Sequence, residues 1–211
     1  MDNDKNIFNS AKKFFLSGNF IEAKKLLLTL IKNYRNNYEL YFLLGTISIQ
    51  LKKNKEAINY LNIAIDSNPK FPESYNNRGV ALAEEDRYLE ALENYDKAIQ
   101  FKKNYIDAYV NKAISLNKLK KFDEAFKITK MAIDFDPLNA KAHNGLGSIF
   151  HNIKNFEEAI KSYEKAIKIK PNFLMALNNL ASSFHKLSLF DKALFYYYKV
   201  FEKDPNFENL L

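Results

Sequence analysis

Neither cysteine nor tryptophan occurs in the 211 residues, and glycine and proline number five each. Without thiols there can be no disulfide, no cysteine zinc site and no cysteine nucleophile. So few glycines and prolines leave long unbroken stretches, which argues for helices joined by short turns and against a β-sandwich. Arginine is scarce as well, confined to Arg35, Arg78 and Arg87, so lysine carries nearly all of the net charge of +7. Arginine is the side chain that forks onto phosphates and base edges. The basic balance is therefore not read as a nucleic-acid signature, and no nucleic-acid partner is expected. The most apolar stretch, "YELYFLLGTISIQL" (38–51), is interrupted and too short to span a bilayer. The N-terminus, "MDNDKNIFNSAKKFF", begins with acids and has no apolar run of signal-peptide type. A soluble, cytoplasmic protein with no membrane partner is the expectation.

What the chain has in abundance is repetition. "NFEEAIKSYEKAIKIKPN" (155–172) has the shape of "RYLEALENYDKAIQFKKN" (87–104) and of "KFDEAFKITKMAIDFDPLN" (121–139). An alanine, preceded by an acid in all but the last unit, sets the period: Ala23, Ala57, Ala91, Ala125, Ala159 and Ala193 are spaced by 34. A column of small residues lies twelve positions earlier, at Ala11, Gly45, Gly79, Ala113, Gly147 and Ala181. A third column follows at Leu30, Ala64, Ala98, Ala132, Ala166 and Val200. Proline closes most units, at Pro69, Pro137, Pro171 and Pro205. Six units, 4–37, 38–71, 72–105, 106–139, 140–173 and 174–207, tile the chain without insertion and leave 1–3 and 208–211 as tails.

Within each unit the apolar residues recur at three and four, the helical period. In the fifth, Leu146, Ile149, Phe150 and Ile153 mark one helix, and Phe156, Ala159, Ile160, Tyr163 and Ile167 the next. The polar turn "NIKN" between them makes an antiparallel hairpin. The small columns are read as places where two helix backbones come closest, with larger residues such as Tyr41, Tyr75 and Tyr109 filling beside them. A lone hairpin cannot bury its apolar face, whereas a stack of hairpins can.

A 34-residue helical hairpin with this arrangement of Tyr, Leu–Gly, acid–Ala, Tyr and Pro resembles the tetratricopeptide repeat. Tyr41, Leu44, Gly45, Ala57, Ala64 and Pro69 carry the likeness in the second unit. His143, Leu146, Gly147, Ala159, Tyr163, Ala166 and Pro171 carry it in the fifth. Ile7 departs from the pattern, as do Arg78 and Lys112 where Leu is usual. The resemblance implies an all-α fold, an α-α superhelix (solenoid) of six repeats whose first helices line a concave groove. Its candidate peptide-binding residues are Phe8, Asn9, Phe42, Asn76, Asn77, Val110, Asn111, Asn144, Ser148, His151, Asn178, Asn179, Ser182 and His185.

An asparagine can donate and accept at once, so a row of them could pair with the backbone of an extended peptide. Equally, asparagine at the sixth position is common in this repeat whatever it binds. The groove is expected to be lopsided, with Phe8, Phe15, Phe42, Leu43, Ile49, Val80, Val110 and Ile114 toward the N-terminus and polar groups toward the C-terminus. An exposed apolar patch of that size would take a ligand's apolar residues, a second copy, or the chain's own N-terminus. Repeat proteins that clamp C-terminal carboxylates use Lys and Asn at the fifth and ninth positions. Here the ninth positions read Lys12, Thr46, Val80, Ile114, Ser148 and Ser182, so no such clamp is expected. His151 and His185 occupy equivalent places and could face each other, but two histidines make a poor metal site. No metal and no cofactor are expected. His143 stands in the packing-aromatic column and is assigned to the core. Glu39, Glu73 and Asp107 suit helix first turns.

No phosphate loop, nucleophile elbow or HExxH motif is present, so catalysis is not expected of these residues. Phe195, Tyr198 and Phe201 near the C-terminus point to an uncovered edge, open to a homodimer or to a longer chain. The "DPNFENLL" junction is similar to the arm preceding the catalytic region of O-linked N-acetylglucosamine transferase-like enzymes. Two functions follow: a scaffold binding a peptide or partner protein in its groove, or the substrate-recruiting arm of a larger glycosyltransferase.

Overall fold

A computed structural model describes residues 2–207, and among them lie twelve helices and no strand. Consecutive helices form six hairpins. The first three are α1 (Asp2–Leu16) with α2 (Phe20–Leu30), α3 (Tyr38–Gln50) with α4 (Asn54–Ser67), and α5 (Pro72–Ala83) with α6 (Tyr88–Phe101). The others are α7 (Ile106–Lys118) with α8 (Phe122–Phe135), α9 (Ala140–Asn152) with α10 (Phe156–Ile169), and α11 (Leu174–Lys186) with α12 (Phe190–Lys203). The N-terminal tail expected over 1–3 is already helical from Asp2. Met1 and the tail 208–211, with the end of the "DPNFENLL" junction, lie outside the described residues.

Each hairpin turns on a residue in the left-handed region, always the fifteenth of its unit. Gly18 takes φ 79°, and Lys52, Asp86, Lys120, Lys154 and Ser188 take φ between 54° and 65°. The next N–H then reaches back to the first helix, as Lys53 does to Ser48 O at 2.8 Å and Asn155 to Phe150 O at 2.9 Å. That back-bond satisfies a carbonyl the helix end leaves over. Asn19 and Asn155 also cap the helix that follows, each accepting from the N–H three residues on. From α4 onward each second helix stops at an extended residue, which in four repeats precedes the closing proline, as Asn68 precedes Pro69, whereas α2 ends at the helical residue Ile31.

The chain divides into two compact units, one ending at Ala108 and the other starting at Tyr109. In the first, α2 packs on α3 and α4 on α5, and the first helices α3 and α5 touch directly. In the second, α8 packs on α9 and α10 on α11, and α9 touches α11. Tyr109 meets Phe135 across the α7–α8 hairpin with ring centroids 5.4 Å apart. Each unit is thus a short solenoid of stacked hairpins.

The period-setting alanines from Ala23 to Ala193 are all buried. The small column on the first helices does something different from what its spacing suggested. A Cβ built on Gly45 would stand 2.6 Å from Leu61 Cγ, and one on Gly147 would stand 2.5 Å from Tyr163 Cε1. The atoms met are side-chain atoms of the second helix, not its backbone. Glycine there makes room for the large residue at the twenty-fourth position, and Leu61, Tyr95 and Tyr163 rank among the largest fully buried side chains.

The aromatic column has a polar purpose too. Tyr75 donates its hydroxyl to Pro69 O at 3.0 Å, and His143 Nε2 makes the same contact with Pro137 O at 2.9 Å. His143 is buried, as a core residue should be, and that burial pushes its pKa down. Arg78, standing where leucine is usual, is accommodated by two amides. Its Nε donates to Asn94 Oδ1 at 2.7 Å and its Nη1 to Asn62 Oδ1 at 2.9 Å.

Candidate functional site

The first-helix face of each unit holds the residues that the repeat pattern singles out. In the N-terminal unit they form a polar chain from α5 to α3. Asn76 Nδ2 donates to Asn77 Oδ1 at 3.2 Å, Asn77 Nδ2 to Thr46 Oγ1 at 2.9 Å, and the Thr46 hydroxyl to Phe42 O at 2.9 Å. In the C-terminal unit, Asn179 Nδ2 on α11 donates to Asn144 Oδ1 on α9 at 3.1 Å. Asn152 Nδ2 on α9 donates to Asn117 Oδ1 on α7 at 3.0 Å. The asparagine row is therefore a set of rungs that already tie neighbouring repeats together. A carboxamide has two N–H groups and a carbonyl with two lone pairs, so Asn77 and Asn179 keep capacity for a ligand after making these bonds.

His151 supplies another rung. Its Nδ1 lies 2.9 Å from Ser183 Oγ, while the Ser183 hydroxyl donates to Asn179 O at 3.0 Å. The serine proton is thereby spent, so the imidazole must carry its hydrogen on Nδ1 and donate. Burial lowers the His151 pKa, helped by the charge of Lys186. His151 rests edge-on against Phe156 and His185 against Phe190. Among the described residues no group of three His, Asp or Glu side chains could hold a metal ion.

Burial sorts the remaining candidates. Asn9 and His185 are exposed; Phe8, Phe42, Asn111, Ser148, Asn178 and Ser182 are half-buried; Asn76, Val110 and Asn144 are buried. These last three floor the face and do not open onto it. Asn178 holds its Oδ1 buried without a hydrogen-bond partner. The apolar residues expected toward the N-terminus are also less exposed than their sequence suggested. Leu43 and Val110 are buried, and Phe8, Phe15 and Phe42 pack against the first core cluster with Ile49 and Val80 against its neighbours. Ile114, 46% exposed, is the residue of that set that does face outward. The others are drawn inward because stacking one hairpin on the next buries them.

Lys12, the basic ninth-position residue, is engaged within the chain. Its Nζ sits 4.5 Å from the Phe8 ring centroid and 3.8 Å from Glu39 Oε2. Beside it is a cavity of about 310 Å³ lined by Asp4, Lys5, Phe8, Leu30, Tyr34, Asn37 and Leu40. There the Tyr34 hydroxyl donates to Asp4 Oδ2 at 3.2 Å. Asn117, Asn152 and Ser183 were not singled out from the sequence, and Thr46 was named there only as a ninth-position residue unable to clamp a carboxylate. Their signal was a polar residue facing another about one period away, and one period is what separates facing positions of adjacent hairpins. No helix among the described residues is long and apolar enough to cross a membrane.

Two stretches, residues 49–106 and residues 140–173, match models of the tetratricopeptide repeat. No curated protein matches the chain. Among solved structures, the type IV pilus biogenesis factor PilW is similar with a TM-score of 0.84 and 19% identity, over 100% of this chain and 97% of that one. The thermophilic TPR protein TTC0263 of Thermus thermophilus is similar with a TM-score of 0.73 and 16% identity, over 86% and 98%. YrrB, described as a TPR protein with an unusual peptide-binding site, has a TM-score of 0.58 and 16% identity, over 86% and 93%. At these identities the likeness speaks for the fold.

Proposed function

Because the chain is a tetratricopeptide repeat protein, we propose that it is a non-catalytic scaffold holding an extended segment of a partner protein on its first-helix face. The observation that carries this reading is the pair of amide rungs, Asn77 to Thr46 and Asn179 to Asn144. They hold carboxamides in fixed orientations while leaving each with unspent donors and acceptors. Such groups suit a peptide backbone, whose N–H and C=O alternate, and they demand little of the ligand's side chains. Fixing them beforehand lowers the ordering cost of binding. The peptide-binding site named for YrrB lends the reading a parallel at the level of the fold. The aromatic C-terminal edge belongs to the same reading as a second contact surface, where a further copy of the chain could dock.

No observation favours the glycosyltransferase-arm alternative, and the scaffold reading is the one carried forward. Its test is capture from an unstructured peptide library by the intact chain and by the Asn77→Ala/Asn111→Ala/Asn179→Ala variant. The reading expects the variant to lose most captured sequences while keeping its helical circular dichroism. Equal capture by both proteins refutes it.

A further inference from the structure

The cavity beside Phe8 stands where other repeats keep an aromatic side chain. The thirty-fourth and last position of a unit is Phe71 in the second, Tyr105 in the third and Phe173 in the fifth, each half-buried. Phe71 meets Tyr38 and Phe42, the first and fifth positions of its unit, with ring centroids 5.2 Å and 5.0 Å apart. Tyr105 packs on a cluster that holds Ala98, the twenty-seventh position of its unit, and Ala108, the third of the next. Lys102, the thirty-first, lies 4.8 Å over the Tyr105 ring.

In the first unit those five positions are Asp4, Phe8, Leu30, Leu40 and Tyr34, and all of them line the cavity of about 310 Å³. The thirty-fourth residue is Asn37, also in its wall. A carboxamide is too short to stand in for a ring, and the Asn37 Oδ1 is engaged in capping α3, accepting from the Leu40 N–H at 3.0 Å. Leu30 and Leu40 are larger than the alanines they match, yet they take up only part of the space. An apolar cavity of about 150 Å³ holds benzene, so this one admits a fused ring, or a phenol with the methylene that carries it. Lys5 and Asn37 are exposed, which puts the rim at the surface.

We infer that this cavity receives an aromatic side chain of the bound partner segment, a tryptophan or a tyrosine. The inference deepens the scaffold reading and rests on it for the origin of the ring. Phe8 belongs to the first-helix face, so a segment lying on that face passes the mouth of the cavity. Phe8, Leu30 and Leu40 supply apolar walls, and an inserted ring can meet Phe8 edge to face as Phe71 meets Phe42. Asp4 selects rings that carry a donor. Its Oδ2 accepts the Tyr34 hydroxyl at 3.2 Å, and a carboxylate has further lone pairs for an indole N–H or a phenol O–H. Phenylalanine and aliphatic side chains have nothing to offer it.

Indole is the probe that tests the inference. The chain has no tryptophan, so indole fluorescence excited beyond the tyrosine band reports binding to the intact chain without background. Saturable binding is expected, with the methyl resonances of Leu30 and Leu40 shifting most. 1-Methylindole, which lacks the donor, should bind about fivefold more weakly. Asn37→Phe, which copies Phe71, should abolish the binding and keep the helical circular dichroism, whereas Asn37→Asp, which keeps a capping oxygen, should leave it unchanged. Peptides captured by the intact chain should share a tryptophan or tyrosine, and that preference should vanish with Asn37→Phe. No saturable binding, methyl shifts centred elsewhere, equal affinity for 1-methylindole, indifference to Asn37→Phe, or captured peptides without a shared aromatic residue would each overturn the inference. The methyl shifts are read on the intact chain and do not depend on how a variant folds. Asn77, Asn111 and Asn179 do not line the cavity, so their triple variant should bind indole as the intact chain does. Equal peptide capture by that variant refutes the scaffold reading, and capture without indole binding refutes this one.

Discussion

Replacing Gly147 by alanine adds one methyl group at the tightest point of the α9–α10 hairpin. The new Cβ would lie 2.5 Å, 2.6 Å and 2.9 Å from Cε1, Cδ1 and Cζ of Tyr163. Carbon atoms rest at about 3.5–4.0 Å, so the ring must retreat by roughly an ångström. Tyr163 is fully buried, and its hydroxyl lies 3.4 Å from Ser148 Oγ, so there is little room to yield. Overpacking of this kind costs about 1–3 kcal/mol. Against it stands the gain of about 1 kcal/mol from replacing glycine inside a helix. The net expectation is a loss of about 0–2 kcal/mol. Gly145, two residues earlier on the same helix, supplies the control: a Cβ there meets nothing within 4 Å. Gly145→Ala should therefore stabilise by about 1 kcal/mol. The difference between the two variants isolates the ring contact. Urea unfolding followed by circular dichroism gives the ranking, and hydrogen exchange of the α9 and α10 amides localises it, since a stacked array need not unfold in one step. Adding Tyr163→Ala to each completes a double-mutant cycle in which the penalty at 147 should vanish. If Gly147→Ala stabilised as much as Gly145→Ala, the steric account of the glycine column would be wrong.

Other expectations follow from the turns, the caps and the buried histidine. Lys120→Gly and Lys154→Gly relieve φ values of 58° and 65° and should each stabilise by about 1 kcal/mol; a fall in melting temperature would contradict the turn geometry. Leu189 begins α12 without a side-chain cap bond, so Leu189→Asn should stabilise by about 1 kcal/mol, read from the same melting curves. The buried His143 has its pKa lowered by desolvation, ahead of the opposing hydrogen bond that it makes to Pro137 O. Its contribution to stability is complete above the unfolded value of about 6.5. It should be lost as pH falls from there through the depressed folded value, because the unfolded chain binds the proton more readily. His143→Tyr, which can donate to Pro137 O as Tyr75 does to Pro69 O, should flatten that part of the pH profile. An unchanged profile would assign the loss to another group.

The hairpins themselves were legible from the residues because their causes are local. Apolar spacing of three and four, a polar turn and a closing proline act within a few residues of each other, and a repeat of 34 states the first two six times and the proline four times. The identity of the closest contact was not legible. The glycine column announces close approach, but whether backbone or a Tyr163 ring fills the space depends on how two helices cross. The left-handed turn residue was hidden because five units place lysine, aspartate or serine where Gly18 alone advertises the conformation.

The face was half legible. Asn77 and Asn179 could be named from their position in the period, yet their partners Thr46 and Asn144 lie 31 and 35 residues away in sequence. Similarly, Val110 and Ile114 look alike on a helical projection, and stacking buries the first and exposes the second. Periodicity records which side of a helix a residue occupies. How much of that side the next hairpin covers is set by packing between elements a whole period apart.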